Sequence, residues 1–291
     1  RVAQSLQEMN ALMQRVDSQP LPFRSERKRD KATEVPLPFP YYREPIRLKT
    51  QQGWGMDSTL ALPISFEGQV HPMLLVDSLK RYATNLGIQL LNGFPVESLG
   101  PVGEDLQDIF LDNQLIIKSK NIIICTNALT NTLLPAPQVI PQRGQVLVSA
   151  PIPGGIPERL KGNFHGDAGY LYYRNLGNDR LLLGGARNLD FQGEQTDRWA
   201  ENPAITQHLT DYALQVLGLK AEGLVWEQAW SGTMGFTPSG VPHLQALGTH
   251  RWLVAGMNGM GMALGPEMGR RVARWALAPS NVDPQKAGLL P

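Results

Sequence analysis

The chain has 291 residues, of which 42% are hydrophobic and 18% are charged, a composition typical of a globular protein and unlike that of a disordered one. Its formal net charge of +1, without a basic stripe, speaks against nucleic acid as a partner. The apolar runs are too short to span a membrane, and the single cysteine, Cys125, excludes an intramolecular disulfide and a cysteine-built metal site.

The first 56 residues predict a helix followed by an irregular segment. Apolar residues recur at helical spacing over residues 2–16. Over residues 17–50, Pro and charged residues are mixed without any regular spacing. The first 15 residues are amphipathic and do not have the charged-then-apolar pattern of a signal peptide. The lack of a signal-peptide pattern, together with the single cysteine, favours a reducing, cytoplasmic setting. The chain begins with Arg, so we expect it to be a piece of a longer or processed protein.

Between residues 57 and 134 the pattern becomes that of an α/β domain. A strand over Leu60–Ser65 and a helix after Pro72 that ends at Gly87 are followed by extended segments at Ile88–Leu91 and at Val96. A hairpin is predicted over Asp105–Ser119, with its turn at Asp112 and Asn113. The wholly apolar run Asn121–Cys125 predicts a strand that is buried on both faces.

The middle of the chain reads as an antiparallel sheet followed by a helix. Extended segments at Val146–Ser149, Gly169–Arg174 and Arg180–Gly184 are separated by Pro and Gly, and a helix that ends at Gly218 follows from Trp199 or Pro203. Alternate residues of the second strand, Tyr172 and Arg174, would share one face, where Arg174 could hold a carboxylate or form a surface ion pair.

Near the C-terminus, a strand over Trp252–Ala255 leads into a turn with Gly256, Gly259 and Gly261 and then into an amphipathic helix. Three interpretations stay open for this glycine turn: a pyrophosphate site, a helix N-terminus facing a ring carbonyl, and tight helix–strand packing. The Rossmann fingerprint G-x-G-x-x-G is not matched here, since the last glycine comes one residue late and no acidic strand end follows.

Other kinds of active site find little support. The five histidines show no metal-ligand spacing, and the chain has no G-x-S-x-G elbow and no Walker phosphate loop. The segment Ala229–His243 clusters Trp, Met and Phe around two glycines, which suits a flat aromatic ligand or a packed corner of the core about equally. We identify no catalytic side chain.

Six segments, in order, resemble the D-amino-acid oxidase/glycine oxidase superfamily of FAD-dependent oxidoreductases, nearest its sarcosine oxidase and γ-glutamylputrescine oxidase branch. They are GQVHP, NIIICTNALT, PQRGQ, LYYRNLGNDRLLLGG, WSGTMGFTPSGVP and GMNGMG. The resemblance implies an α/β FAD/NAD(P)-binding-like domain, incomplete because no G-x-G-x-x-G unit occurs in the chain, with an inserted antiparallel-β substrate domain. It implies boundaries of 57–134 and 224–280 for the first domain and 135–223 for the second.

The resemblance further implies FAD as cofactor and oxidation of an amine or amino acid by hydride transfer to the flavin. Residues expected near the ADP half are Val96, Cys125, Thr126 and Asn127. Residues expected near the flavin ring are Gly232, Met234, Gly256, Asn258, Gly259, Met260, Gly261 and Met262. Tyr172 and Arg174 are expected to bind substrate.

Two other functions are weighed against this one. The first is a non-catalytic relic of the family that lacks flavin and acts as a binding or assembly module. The second, a nicotinamide-dependent dehydrogenase, is disfavoured because the dinucleotide fingerprint is missing. A further departure concerns the substrate: some amino-acid oxidases carry a carboxylate-binding Arg where this chain has Met234.

Overall fold

The computed structural model describes residues 2–3, 60–61, 69–103, 105–136 and 138–277. The helices of this part are α1 Pro72–Asn85, α2 Thr130–Leu133, α3 Pro203–Asp211 and α4 Gly261–Leu277. The strands are β1 Val2–Ala3, β2 Leu60–Ala61, β3 Val96–Leu99, β4 Gln107–Leu111, β5 Ile116–Ser119, β6 Ile122–Ile124, β7 Ile140–Ser149, β8 Asn163–Gly166, β9 Leu171–Leu176, β10 Arg180–Gly185, β11 Trp226–Phe236, β12 His243–Ala246 and β13 Arg251–Ala255.

The start of the chain differs from the prediction. Val2–Ala3 is a strand that pairs antiparallel with Leu60–Ala61, so the helix expected over residues 2–16 does not include its first two positions. The rest of that helix, the irregular segment and the end of the Leu60–Ser65 strand lie outside the described residues.

Helix α1 follows the sequence signals at both ends. The His71 Nδ1 atom accepts a hydrogen bond from the Leu74 amide at 3.4 Å, and Pro72 occupies the first helical turn. At the other end, Gly87 has φ +83° and donates to the Thr84 carbonyl at 2.9 Å. The strand predicted over Ile88–Leu91 is wrong, because these residues pair with no strand of the described structure and an extended segment becomes a strand only through such pairing.

The predicted hairpin is confirmed as part of a three-stranded antiparallel sheet, β3-β4-β5. Ile109 pairs with Ile117 across β4 and β5, and a 3₁₀ turn over Asp112–Gln114 joins the two strands. Val96 begins β3 and pairs with Leu111.

A second sheet, β12-β13-β6, positions the glycine turn. β13 pairs with β6 in parallel and with β12 antiparallel, and all five residues of β13 are buried. Met268 and Val272 of α4 pack against one face of this sheet together with Trp252 and Val254. The two-faced burial predicted for Asn121–Cys125 is wrong at Ile123, which is exposed while Ile122 and Ile124 are buried, because each face of β6 is covered to a different extent.

The antiparallel prediction for the middle of the chain is confirmed by a five-stranded sheet of order β11-β7-β10-β9-β8. Its buried side chains include Leu147, Tyr173 and Leu183, and they form one core with Ile205 and Leu209 of α3. The chain continues α3 with a π-helical turn over Tyr212–Val216 and leaves it at Gly218, which has φ +65°.

The chain divides into two compact units. The first contains residues 1–89, 145–189 and 200–231, and the second contains residues 90–144, 190–199 and 232–291. The mixed α/β class with antiparallel sheets is confirmed. The boundaries 57–134, 135–223 and 224–280 stay a prediction.

Candidate cofactor site

The glycine turn between β13 and α4, in the second unit, contains three residues with left-handed backbone angles. Gly256, Asn258 and Gly259 have φ of +72°, +51° and +80°. Glycine adopts such angles without steric cost, and asparagine adopts them more readily than other residues with side chains. The Met260 amide donates to the Met257 carbonyl at 2.8 Å, and the Met260 carbonyl accepts from the Ala263 and Leu264 amides as the helix starts. The chain therefore reverses sharply and exposes backbone.

Asn127 fastens this turn to the end of β6. Its side-chain Oδ1 accepts hydrogen bonds from the Gly256 amide at 3.0 Å and from the Met257 amide at 3.3 Å. Since β6 and β13 run parallel, their carboxyl ends lie at the same edge of the sheet, which puts Asn127 beside the turn. Asn127 itself has φ +44°.

Asn258 secures the turn from within. Its Nδ2 donates to the Gly256 carbonyl at 2.7 Å and to the Gly240 carbonyl at 3.0 Å, while its Oδ1 accepts from the Thr237 amide at 2.9 Å. The Asn258 amide in turn donates to the Gly235 carbonyl at 2.9 Å. The side chains of Asn127 and Asn258 are thus used to shape the turn.

The second half of β11 approaches the turn closely. A Cβ atom added at Gly259 would lie 3.6 Å from the Met234 Sδ and 3.8 Å from the Phe236 ring, and one added at Gly235 would lie 2.7 Å from the Asn127 Oδ1. A glycine at position 235 is therefore required where β11 passes Asn127. These contacts bring together Met234, Gly259 and Asn127, which the sequence had placed near the cofactor.

The turn presents unpaired backbone donors. Among the described residues, the amides of Gly261 and Met262 have no acceptor, as expected for the first turn of a helix. Met260 and Met262 beside them are 52% and 43% exposed. Donors at a helix N-terminus next to accessible apolar side chains suit a flat ring that carries a carbonyl, because the partial positive charge there favours an electron-rich oxygen. The residues therefore fit the ring half of FAD.

Four of the residues expected near the cofactor take no part in the bonds described above: Val96, Cys125, Thr126 and Gly232. Val96 and Cys125 are exposed, and a Cβ at Gly232 would meet no atom within 4 Å. The Thr126 hydroxyl lies 3.2 Å from that of Thr130, at the start of α2.

An ion pair that the sequence analysis missed adjoins this region. The Arg143 guanidinium donates from Nε to Glu194 Oε2 at 2.8 Å and from Nη2 to Glu194 Oε1 at 2.7 Å, and the Glu194 side chain is 1% exposed. The hydrogen bond with Glu194 raises the pKa of Arg143. Next to Arg143, a Cβ at Gly144 would lie 2.9 Å from the Met234 Cε. PQRGQ was noted as a motif, but a partner 51 residues away leaves no signal in local spacing.

The two predicted substrate residues lie in the first unit, on the sheet face opposite to its core. In β9, Leu171 and Tyr173 are buried in the core, and Tyr172 and Arg174 alternate with them. The Tyr172 ring lies against Gly184, where a Cβ would be 2.7 Å from the hydroxyl, and it stacks with His165 at 5.8 Å between centroids. Arg174 Nη1 donates to the Val70 carbonyl at 3.1 Å. Burial raises the pKa of Tyr172 and lowers that of Arg174.

Two kinds of feature are absent from the described residues. No group of three His, Cys, Asp or Glu side chains in the described ranges is arranged to hold a metal ion. No helix in the described ranges has the length and apolar character that a membrane crossing requires.

Comparison with known proteins gives one family and several similar folds. The sequence model of a family described as "DAO: FAD dependent oxidoreductase" matches residues 51–275. A sequence comparison with curated proteins gives no match.

Among solved structures, glycine oxidase from Geobacillus kaustophilus is similar with a TM-score of 0.64 and 19% identity, over 77% of this chain and 60% of that one. L-Proline dehydrogenase from P. horikoshii has a TM-score of 0.63 and 15% identity, over 76% of this chain and 59% of that one. Iminodiacetate oxidase from Chelativorans sp. BNC1 has a TM-score of 0.68 and 16% identity, over 99% of this chain and 74% of that one. At these identities the likeness concerns the fold, and the chain spans about 60% of the length of the first two.

Proposed function

This chain belongs to the DAO family of FAD-dependent oxidoreductases, and from that premise we propose that it oxidises the C–N bond of an amine or amino acid and supplies the flavin-ring half of the site. The observation that carries the proposal is the turn at Gly256–Gly261, held by Asn127 and Asn258, with the Gly261 and Met262 amides free to donate. Glycine oxidase and iminodiacetate oxidase have the same type of fold.

The residues divide into three proposed roles. When bound, FAD would supply the acceptor for a hydride from the carbon that carries the amine. The Gly261 and Met262 amides would donate to a carbonyl oxygen of the ring and stabilise negative charge there, and Met234, Met260 and Gly232 would help to hold the ring. Val96, Cys125 and Thr126 lie on the side of the ADP half. Tyr172 and Arg174 bind the substrate, with Arg174 holding a carboxylate.

The test separates ring binding from binding of the whole dinucleotide. Riboflavin and FAD are each titrated with the purified chain, and quenching of flavin fluorescence gives the dissociation constants. Riboflavin is included because it has the ring without the ADP half. Gly259→Val introduces a side chain at a φ of +80° and should weaken riboflavin binding at least tenfold, whereas Gly269→Ala, on an open part of α4, should leave it unchanged.

Oxidation is then measured with a panel of amines and amino acids, using oxygen or a dye as electron acceptor. A chain that binds neither riboflavin nor FAD would remove the proposal in favour of a non-catalytic binding or assembly module. Riboflavin binding that is insensitive to Gly259→Val would show that the ring lies elsewhere.

A further inference from the structure

The loop over residues 190–199 is bound to β7 through Arg143, and both Arg143 and this loop belong to the second unit. The Arg143 amide donates to the Glu194 carbonyl at 2.7 Å, and the Arg143 Nη1 donates to the Arg198 carbonyl at 3.4 Å. With the bonds from Nε and Nη2 to the Glu194 carboxylate, the loop engages every nitrogen of the guanidinium. A guanidinium that forms such a fork with a carboxylate is fixed in direction as well as in place. The loop therefore holds β7 at this residue in one orientation.

The same loop also contacts β11, at the residue before Met234. The Thr233 hydroxyl donates to the Asp197 carbonyl at 3.4 Å. Strand β11 is the neighbour of β7 in the five-stranded sheet. One loop is thus bonded to both strands, at the residue that precedes Gly144 in β7 and at the residue that precedes Met234 in β11.

The Met234 side chain lies between two glycines, one in β7 and one in the turn. A Cβ atom at Gly144 would lie 2.9 Å from the Met234 Cε, and one at Gly259 would lie 3.6 Å from its Sδ. Methionine is unbranched and flexible, so the groups packed around its thioether decide where the sulfur lies. Met234 is half-buried, which leaves part of its side chain accessible. The position of Gly144 therefore sets how closely the thioether approaches the turn.

A buried ion pair is a costly way to anchor a loop. The Glu194 side chain is 1% exposed, and the removal of two charges from water costs free energy that a well-packed apolar pair does not lose. Buried ionic groups are retained in some proteins because the direction of their hydrogen bonds specifies a single arrangement. Here the specified arrangement includes Gly144, which adjoins Arg143 and contacts Met234.

We propose that Arg143 and Glu194 are positioning residues: they fix β7 at Gly144 and so place the Met234 thioether against the turn at Gly259. The thioether then packs on the flavin ring, since sulfur makes favourable contacts with aromatic systems. This contact with the ring rests on the proposed function. The placing of Met234 by the ion pair does not, because it follows from contacts within the chain.

The placing of Met234 is measured by NMR without flavin, on the full chain labelled with methionine that carries ¹³C in its methyl group. Met234→Leu identifies the Met234 resonance among those of the nine methionines. Arg143→Lys keeps the charge and loses the fork, and Glu194→Asp shortens the side chain by one methylene, so each should shift that resonance. Arg251→Lys is the matched control. Arg251 is 5% exposed and donates to the Gly100 carbonyl from the start of β13, at the end away from the turn, so this change should lower stability and leave the resonance in place.

Gly144→Ala tests the same path without altering the ion pair. The added Cβ would lie 2.9 Å from the Met234 Cε, so the methyl group must move and its resonance should shift. In the riboflavin titration, Gly144→Ala, Arg143→Lys and Glu194→Asp should each weaken binding about twofold to tenfold, the range that loss of a sulfur–ring contact gives. In a Met234→Ala background no thioether remains, so Gly144→Ala should have no further effect on riboflavin binding. An undiminished effect there would show that Gly144 does not act through Met234.

Failure of this inference and failure of the proposed function give different results. If the Met234 resonance shifts in Arg143→Lys and Glu194→Asp but not in Arg251→Lys, while neither riboflavin nor FAD binds, the positioning role stands and the oxidoreductase proposal fails. If flavin binds as proposed and the resonance shifts no more in the two ion-pair variants than in Arg251→Lys, the positioning role is wrong. An unshifted resonance in Gly144→Ala would also overturn it, whether or not the ion-pair variants fold.

Discussion

The Asn127 Oδ1 lies 3.0 Å from the Gly256 amide, and this bond joins the end of β6 to the turn that follows β13. The two residues are 129 positions apart in the chain. The same oxygen accepts from Met257, so one side chain satisfies two consecutive backbone donors of the candidate flavin turn.

Replacing Asn127 should separate its two roles. Asn127→Ala removes the acceptor for two amides and puts alanine, which tolerates left-handed angles less well than asparagine, at φ +44°, so we expect a loss of about 2–4 kcal/mol in the free energy of unfolding. Asn127→Gly removes the acceptor alone and should cost about 1 kcal/mol less than Ala. Urea denaturation measures both. Equal stability of the two variants would show that the left-handed angle carries no cost.

Gly259 and Gly269 should respond to alanine with opposite signs. Gly259 has φ +80° in the turn, so Gly259→Ala should destabilise the protein by about 1–2 kcal/mol. Gly269 lies inside α4, where an added Cβ would meet nothing within 4 Å, so Gly269→Ala should stabilise it by about 0.5–1 kcal/mol. Thermal unfolding of the two variants provides the comparison, and destabilisation of both would contradict the assigned backbone geometry.

Breaking the Arg143–Glu194 pair should be costly. Their side chains are 11% and 1% exposed, so Arg143→Gln or Glu194→Gln leaves the remaining charge buried without its counter-charge, and either change should cost about 3–5 kcal/mol. Lys118→Gln removes an ion pair with Asp108 whose lysine is 64% exposed, and it should change stability by less than about 1 kcal/mol. In the double variant Arg143→Gln/Glu194→Gln the loss should be smaller than the sum of the single losses. Additive losses would mean that the two side chains do not interact.

Glu267 should make stability depend on acid pH. Hydrogen bonds from Arg270 and Arg271 lower the pKa of Glu267 to about 2 in the folded protein, against about 4.3 in an unfolded chain. A lowered pKa contributes stability that is complete above about pH 4.3 and is lost as the pH falls toward about 2. The stability difference between wild type and Glu267→Gln should therefore shrink over that window. A difference that stays constant between pH 6 and pH 2 would contradict the shift.

Much of the fold followed from local sequence. The ends of α1, the β4–β5 hairpin, β13 and the start of α4 were predicted, because caps, turns and alternating apolar residues act over a few residues. The predictions that failed concern Ile88–Leu91, the exposed Ile123 and residues 2–3. In each case strand formation or burial depends on which distant segment lies alongside.

The sequence by itself determined the family resemblance and the glycine turn, since glycine and asparagine are what left-handed backbone angles require. Only the tertiary structure decided how that turn is held. Asn127 and Asn258 were expected at the cofactor, and their side chains bind the turn, while Arg143 and Glu194 meet across 51 residues. Spacing along a chain records local geometry, and long-range hydrogen bonds leave no such record.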